Sequence, residues 1–242
     1  DTPVAGVWLP RDSVVDLPGG GRGRLTSVYA DARTGGERAG AEALAREVGS
    51  LTGVRVDHYA EVDAAGFAAL SDAVGGVDLC LRQPARDPLS GVDLPSGPVT
   101  VAGEQAAAFL RQRAGLPNGD LDRVVRQQVF LEALAAKVIG AGDPALVARL
   151  AAAAASTVRT DPDLRLPEFV GRLTSTVRTA IIPLGPEVDG GAARLVDPAA
   201  VRAFAAEFFA DGATGEPSGG FTVTAPASET ATTAPTDRDC VR

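Results

Sequence analysis

Helical and strand-like patterns follow one another along most of this chain, and that alternation limits the fold more than any other feature. Ala41, Leu44, Val48 and Leu51 recur at helical spacing within Gly36–Leu51, which Thr52-Gly53 ends. Val54–Asp63 alternates apolar and polar residues as a half-buried strand would. Ala64–Val74 then reads as a helix, Val77–Leu81 as a strand, and Gly103 opens another helix. Further helices are predicted from Asp143-Pro144 to about Ser156, over Leu166–Arg178 and from Asp197-Pro198 onward. Short strands are predicted at Val4–Leu9, Val14–Leu17, Val99–Val101, Ala180–Leu184 and Arg194–Val196. Elements in this order predict an α/β layered domain over residues 1–211. Arg82–Pro98 reads as a long proline-rich loop. Residues 212–242, rich in Gly, Pro, Ser, Thr and Ala, read as a mostly disordered tail.

One stretch stands out chemically. The chain carries a net charge of -8, yet Arg111, Arg113, Arg123 and Arg126 fall close together in FLRQRAGLPNGDLDRVVRQQVFL. Only one of the 23 basic residues is a lysine, Lys137, so an isolated arginine means little here and a cluster means more. Asp120 is a good N-cap for a helix to about Ile139. In that helix Arg123, Arg126 and Gln127 share one ridge beside the apolar stripe Val124, Leu131, Leu134 and Val138. A helix N-terminus with guanidinium forks is a strong phosphate or pyrophosphate site. A helical hairpin salt-bridged through Asp120 and Asp122 is the competing reading. Nucleic acid is not expected as a partner: the balance is acidic, aromatics are 5%, and none interleaves the cluster.

Other candidates are weaker. Arg11, Asp12 and Ser13 follow a strand end beside the turn PGGGRG, which suits a site or a plain salt bridge. His58, the sole histidine, lies on the apolar side of its strand pattern and is expected in the core. Cys80 and Cys240 are too few for a metal site. They are either one disulfide or two thiols, one in a strand and one in a tail.

Taken in order, PRDS (Pro10–Ser13), VRVDHYAEVDAAGF, DAVGGVDL, GEQAAAFLRQR and DLDRVVRQQ resemble the LytR-CpsA-Psr (LCP) family, in wording most like its actinobacterial branch. The resemblance runs from about residue 7 to about residue 139 and implies a three-layer α-β-α sandwich with a mixed central sheet. It implies a phosphotransferase that moves a glycopolymer from a polyprenyl-pyrophosphate carrier to peptidoglycan. The alternatives are a pyrophosphatase acting on that carrier and a non-catalytic polyprenyl-phosphate-binding module. It also implies Mg²⁺, and an extracytoplasmic domain anchored by an upstream membrane helix.

By motif, Arg11, Asp12, Arg111, Arg113, Asp120 and Arg123 are the expected catalytic residues. Arg111, Arg113, Arg123, Arg126 and Gln127 are expected to bind pyrophosphate. An apolar tunnel walled by Gly36–Leu51, Ala64–Val74 and Leu121–Ile139 is expected for the lipid. Only ten residues precede Arg11, whereas the family carries a strand pair and an acidic motif ahead of the PRD segment. The chain is therefore expected to be either a fragment whose first strands and part of the metal site lie upstream, or a divergent member lacking part of that site, and the metal ligands are not assigned. A second departure is RLTSVYA, where the family has an asparagine near Thr26. An extracytoplasmic setting favours the Cys80–Cys240 disulfide.

Overall fold

The computed structural model describes residues 4–117, 120–171, 177–210 and 240–241. In chain order these form β1 (Val4–Trp8), β2 (Ser13–Asp16), β3 (Arg22–Arg24), α1 (Leu25–Ala32), α2 (Glu37–Thr52), β4 (Ala60–Val62), α3 (Ala64–Ala73) and β5 (Val77–Leu81). Next come β6 (Ala85–Asp87), β7 (Val92–Leu94), β8 (Gly97–Val101), α4 (Gly103–Arg111), α5 (Asp120–Ala141), α6 (Pro144–Thr157) and β9 (Val158–Thr160). The last are α7 (Leu166–Gly171), β10 (Val177–Ile181), β11 (Glu187–Val188), β12 (Ala193–Leu195) and α8 (Pro198–Ala210).

The result is a three-layer α-β-α domain with mixed sheets. β1 pairs with β10 in parallel, Val4 opposite Val177 and Trp8 opposite Ile181. β2 runs parallel to β12 and antiparallel to β3, and β5 runs antiparallel to β8. Helices cover both faces, α5 packing on β5 and β10 while α8 packs on β1. The apolar residues accordingly divide into two cores. One joins α3, α4, α5 and α6 to β5 and β8 around Phe109 and Phe130, both fully buried. The other joins α1, α2 and α8 to β2 around Leu25, Leu51 and Val201. The faces expected to wall a lipid tunnel contribute to these cores: Leu70, Val74, Leu134 and Val138 to the first, Leu44 and Leu51 to the second.

The helix boundaries follow their capping residues. Asp63 accepts the Gly66 N–H at 2.8 Å, and Asp143 accepts the Ala145 N–H at 2.8 Å ahead of α6. Asp197 does the same for Ala199 at 2.9 Å. Gly53 ends α2 with φ of 72°, the left-handed conformation that glycine adopts without cost.

Four expectations need correction. Of the alternating Val54–Asp63, only Ala60–Val62 forms a strand, because its partner β9 is itself only three residues long. Val54 and Val56 are left 39% and 38% exposed. His58 therefore stays outside the core and pairs through Nδ1 with Asp161 at 3.0 Å. Arg82–Pro98 is not a structureless loop: β6 and β7 form a hairpin within it. The helix expected over Leu166–Arg178 is described only to Gly171, residues 172–176 lie outside the described part, and Val177 and Arg178 already belong to β10.

Most of the expected tail, residues 212–239, also lies outside the described part. Cys240 is bonded to Cys80, with a Cα–Cα distance of 4.5 Å. Val241 then extends the β5 edge: its N–H donates to Cys80 O, and its carbonyl accepts from Arg82 N–H, each at 2.8 Å. No described helix is long and apolar enough to cross a membrane.

Candidate functional site

Three chain segments meet at the ends of β1, α4 and α5. The turn after β1 brings Arg11, the end of α4 and the loop after it bring Arg111 and Arg113, and the first turns of α5 bring Arg123 and Gln127. All five line one cavity of about 500 Å³. Trp8, Leu9, Pro10, Leu110 and Val124 complete the lining, and no carboxylate is among the described residues around it. The cavity thus has a cationic part and an apolar part. Four guanidinium groups beside the start of a 22-residue helix make a strongly anion-attracting space.

Each of these residues is held by its local structure. Arg111 Nε donates back to Ala107 O at 3.1 Å, within α4. Gln127 Nε2 donates to Leu110 O at 3.3 Å, tying α5 to the end of α4. Arg11 Nε lies 3.3 Å from Asp12 Oδ2, and its carbonyl accepts the Thr26 N–H at 3.0 Å. Arg123 is only 7% exposed. Asp120 is the first residue of α5; residues 118–119 and the Asp120 side chain lie outside the described part, and with them the expected N-cap.

Arg126 departs from the expected ridge and does not line the cavity. It is 3% exposed, with its guanidinium carbon 4.8 Å from the centre of the Phe109 ring. One of its nitrogens donates to Gln112 Oε1. Burial pulls its pKa below the ordinary arginine value, and the charge of Asp122 opposes that shift. Gln112, itself 2% exposed, donates onward to Ala114 O at 2.8 Å. Arg126 is therefore a buttress beneath the loop that carries Arg113.

Asp87 is a second support for that loop, and one the sequence did not flag. It is 2% exposed, and its Oδ2 accepts the N–H groups of Arg113 at 2.9 Å and Ala114 at 3.3 Å. Its Oδ1 accepts the Leu89 N–H at 2.9 Å. The bond from Arg113 is the main cause that lowers its pKa; burial opposes, and further backbone bonds from Leu89, Ala114 and Ser90 help. The β6–β7 hairpin, with Asp87 at the end of β6, holds this carboxylate in place. The available sequence signal was the D-x-L-S-G turn, Asp87 to Gly91, which fits an Asp-anchored turn.

Asp12 faces the other side of the turn. Its carboxylate sits between Arg11 and Arg24, the latter at 3.4 Å, and Arg24 also reaches Asp189 at 3.5 Å. Among the described residues no three carboxylate, histidine or cysteine groups converge. Asp12 is already flanked by two guanidinium groups.

Deeper along α5, Glu132 is 2% exposed and accepts a hydrogen bond from Thr179 Oγ1, which in turn accepts from Gln128 Nε2 at 3.2 Å. Burial raises the Glu132 pKa to about 7, the Thr179 bond acting against it.

Comparison with known proteins gives this geometry a context. The LytR_cpsA_psr family model matches residues 3–181. The chain is 37% identical over 210 residues to the cell wall biosynthesis protein LcpA of Corynebacterium glutamicum, covering 76% of this chain and 40% of that protein. It is 30% identical over 156 residues to the polyisoprenyl-teichoic acid--peptidoglycan teichoic acid transferase TagU of Enterococcus faecalis, covering 64% of this chain and 48% of that protein. The chain thus spans less than half the length of either relative. Among solved structures, the LytR-Csp2A-Psr enzyme from Actinomyces oris superposes with a TM-score of 0.69 at 22% identity, over 85% of this chain and 80% of that one. TagT bound to LI-WTA gives 0.62 at 19% identity, over 86% and 78%. These two likenesses bear on the fold alone; together with the family match and the relatives in sequence, they place the chain in the LytR_cpsA_psr family.

Proposed function

We propose that this domain transfers a glycopolymer from a polyprenyl-pyrophosphate carrier to a hydroxyl of peptidoglycan, outside the cell membrane. The observation that carries this reading is the cavity shared by Arg11, Arg111, Arg113, Arg123 and Gln127 with Trp8, Leu9, Leu110 and Val124. A pyrophosphate joined to an apolar chain matches both halves of that lining. The names of the relatives, cell wall biosynthesis and teichoic acid transfer, support the same direction.

The chemistry follows from charge. The acceptor oxygen attacks the phosphorus that bears the sugar. The bond from that phosphorus to the bridging oxygen breaks, and polyprenyl phosphate leaves with the electron pair. Arg113 and Arg123 hold the pyrophosphate in line and neutralise charge as it builds on the leaving group. Arg11 and Arg111 screen the remaining oxygens. Asp12 receives the acceptor proton, its position fixed by Arg24.

The test is a transfer assay with a short-chain lipid-pyrophosphate saccharide and purified peptidoglycan. The expected product is a sugar phosphodiester on the glycan, with polyprenyl phosphate released in equal amount. Release of polyprenyl phosphate and sugar phosphate, with no phosphodiester on the glycan, would instead make the protein a pyrophosphatase.

A further inference from the structure

A second, small cavity of about 60 Å³ adjoins the arginine-lined one. Pro10 lines both, so the turn after β1 is their common wall. Arg11 faces the large cavity, whereas Asp12 and Ser13 face the small one. On the opposite side Ala193 leaves room, and Arg194 is fixed by Glu187 at 2.6 Å. Ser13 is 1% exposed, and its Oγ has no hydrogen-bond partner among the described residues. A buried hydroxyl without a partner is costly, and such a group persists where something else completes it.

We propose that this pocket seats the attacking hydroxyl of the acceptor glycan, with Ser13 Oγ as its hydrogen-bond partner. The inference rests on the transferase reading above and deepens it. A serine hydroxyl both donates and accepts, as a sugar hydroxyl does, so the two pair in either sense. The pocket is small beside the cavity of about 500 Å³, which suits a single hydroxyl-bearing group more than a run of sugar units. Asp12, on the same wall, takes the proton as the acceptor oxygen bonds to phosphorus. The position beside Arg11 puts the nucleophile at the edge of the pyrophosphate cavity. Ser13 is thus a residue that determines acceptor specificity and is separate from the carrier-binding arginines.

The test is a ¹⁵N–¹H chemical-shift titration of the chain with chitotetraose, a soluble glycan with free hydroxymethyl groups. Saturable shifts are expected at Ser13 and at residues 192–194. Ser13→Ala should weaken the apparent affinity about fivefold, the worth of about one hydrogen bond. Its thermal midpoint should hold or rise, since an unpartnered buried hydroxyl is removed. Ala193→Val, which fills the pocket from the other side, should also weaken binding. Shifts centred elsewhere, unchanged affinity in Ser13→Ala, or a fall of several degrees in its midpoint would overturn the assignment. Binding in the pocket without phosphodiester formation in the transfer assay would leave the glycan site standing and remove the transferase reading.

Discussion

Arg123 and Arg126 stand one helical turn apart on α5 and have opposite surroundings. Arg123 lines the cavity with Arg11, Arg111, Arg113 and Gln127, whereas Arg126 lies under Phe109 and bonds to Gln112. Both are nearly buried, at 7% and 3% exposure, so burial alone does not tell them apart. What differs is what each guanidinium faces: a space able to hold an anion, or an aromatic face and an amide. One residue is placed to act on a ligand. The other is placed to fix the loop that brings Arg113 to that ligand.

The largest expected effects separate the two directly. Arg123→Ala should weaken binding of a short polyprenyl pyrophosphate about 100-fold, the loss of charge-assisted bonds in a poorly solvated site. Arg126→Ala should instead destabilise the fold by about 3 kcal/mol, through the lost aromatic contact and an unsatisfied Gln112. Differential scanning calorimetry should register this as a midpoint lower by about 6–12 °C. Equal behaviour of the two variants in both assays would erase the distinction.

The Cys80–Cys240 bridge should fall on the Arg126 side of the comparison, since it secures the β5 edge and neither cysteine lines the arginine cavity. Reduction, or Cys240→Ser, should cost about 2–4 kcal/mol of stability and leave carrier affinity below the melting range unchanged.

Glu132 sharpens the same contrast further along α5. Its carboxyl pKa, raised to about 7, means that the folded state holds the proton more tightly than the unfolded state. The stabilisation is therefore complete below about pH 4.5 and lost as pH rises through about 7. Between pH 5 and pH 7 this group should remove about 2 kcal/mol of stability. Glu132→Gln should flatten that slope in chemical denaturation, and an unchanged slope would assign it to other groups.

Asp87 joins the two sides. Asp87→Asn keeps the shape but turns an acceptor towards donor status beneath the Arg113 and Ala114 N–H groups. Carrier affinity should drop about tenfold and the midpoint by several degrees. A loss of stability with full affinity would show that Arg113 does not need this anchor.

Much of this was legible in the sequence, and the failures have physical causes. The starts of α6 and α8 were readable because an Asp-Pro pair ahead of a helical stripe is a local signal, whereas the Asp63 cap of α3 was read as strand. Arg111, Arg113 and Arg123 already stand close together in the chain, and the structure brings them to one cavity. The inward turn of Arg126 was not legible, because the three-residue step from Arg123 leaves open which neighbour fills the intervening space. Here Phe109 and Gln112 do so, from another helix and its end. Val54–Asp63 misled because alternation reports a capacity to pair, and β9 is too short to use it. Asp87 escaped notice because its partners are backbone N–H groups 26 and 27 residues away, which carry no side-chain signature.

The central claim is that the arginine-lined cavity recognises a pyrophosphate on an apolar chain. Isothermal titration of the chain with geranylgeranyl pyrophosphate tests it most directly, alongside Arg113→Ala/Arg123→Ala and alongside geranylgeraniol as the uncharged control. Saturable one-site binding is expected for the unaltered chain, with none for the double variant or the alcohol. Equal affinity in the double variant, or equal binding of the alcohol, would contradict the claim.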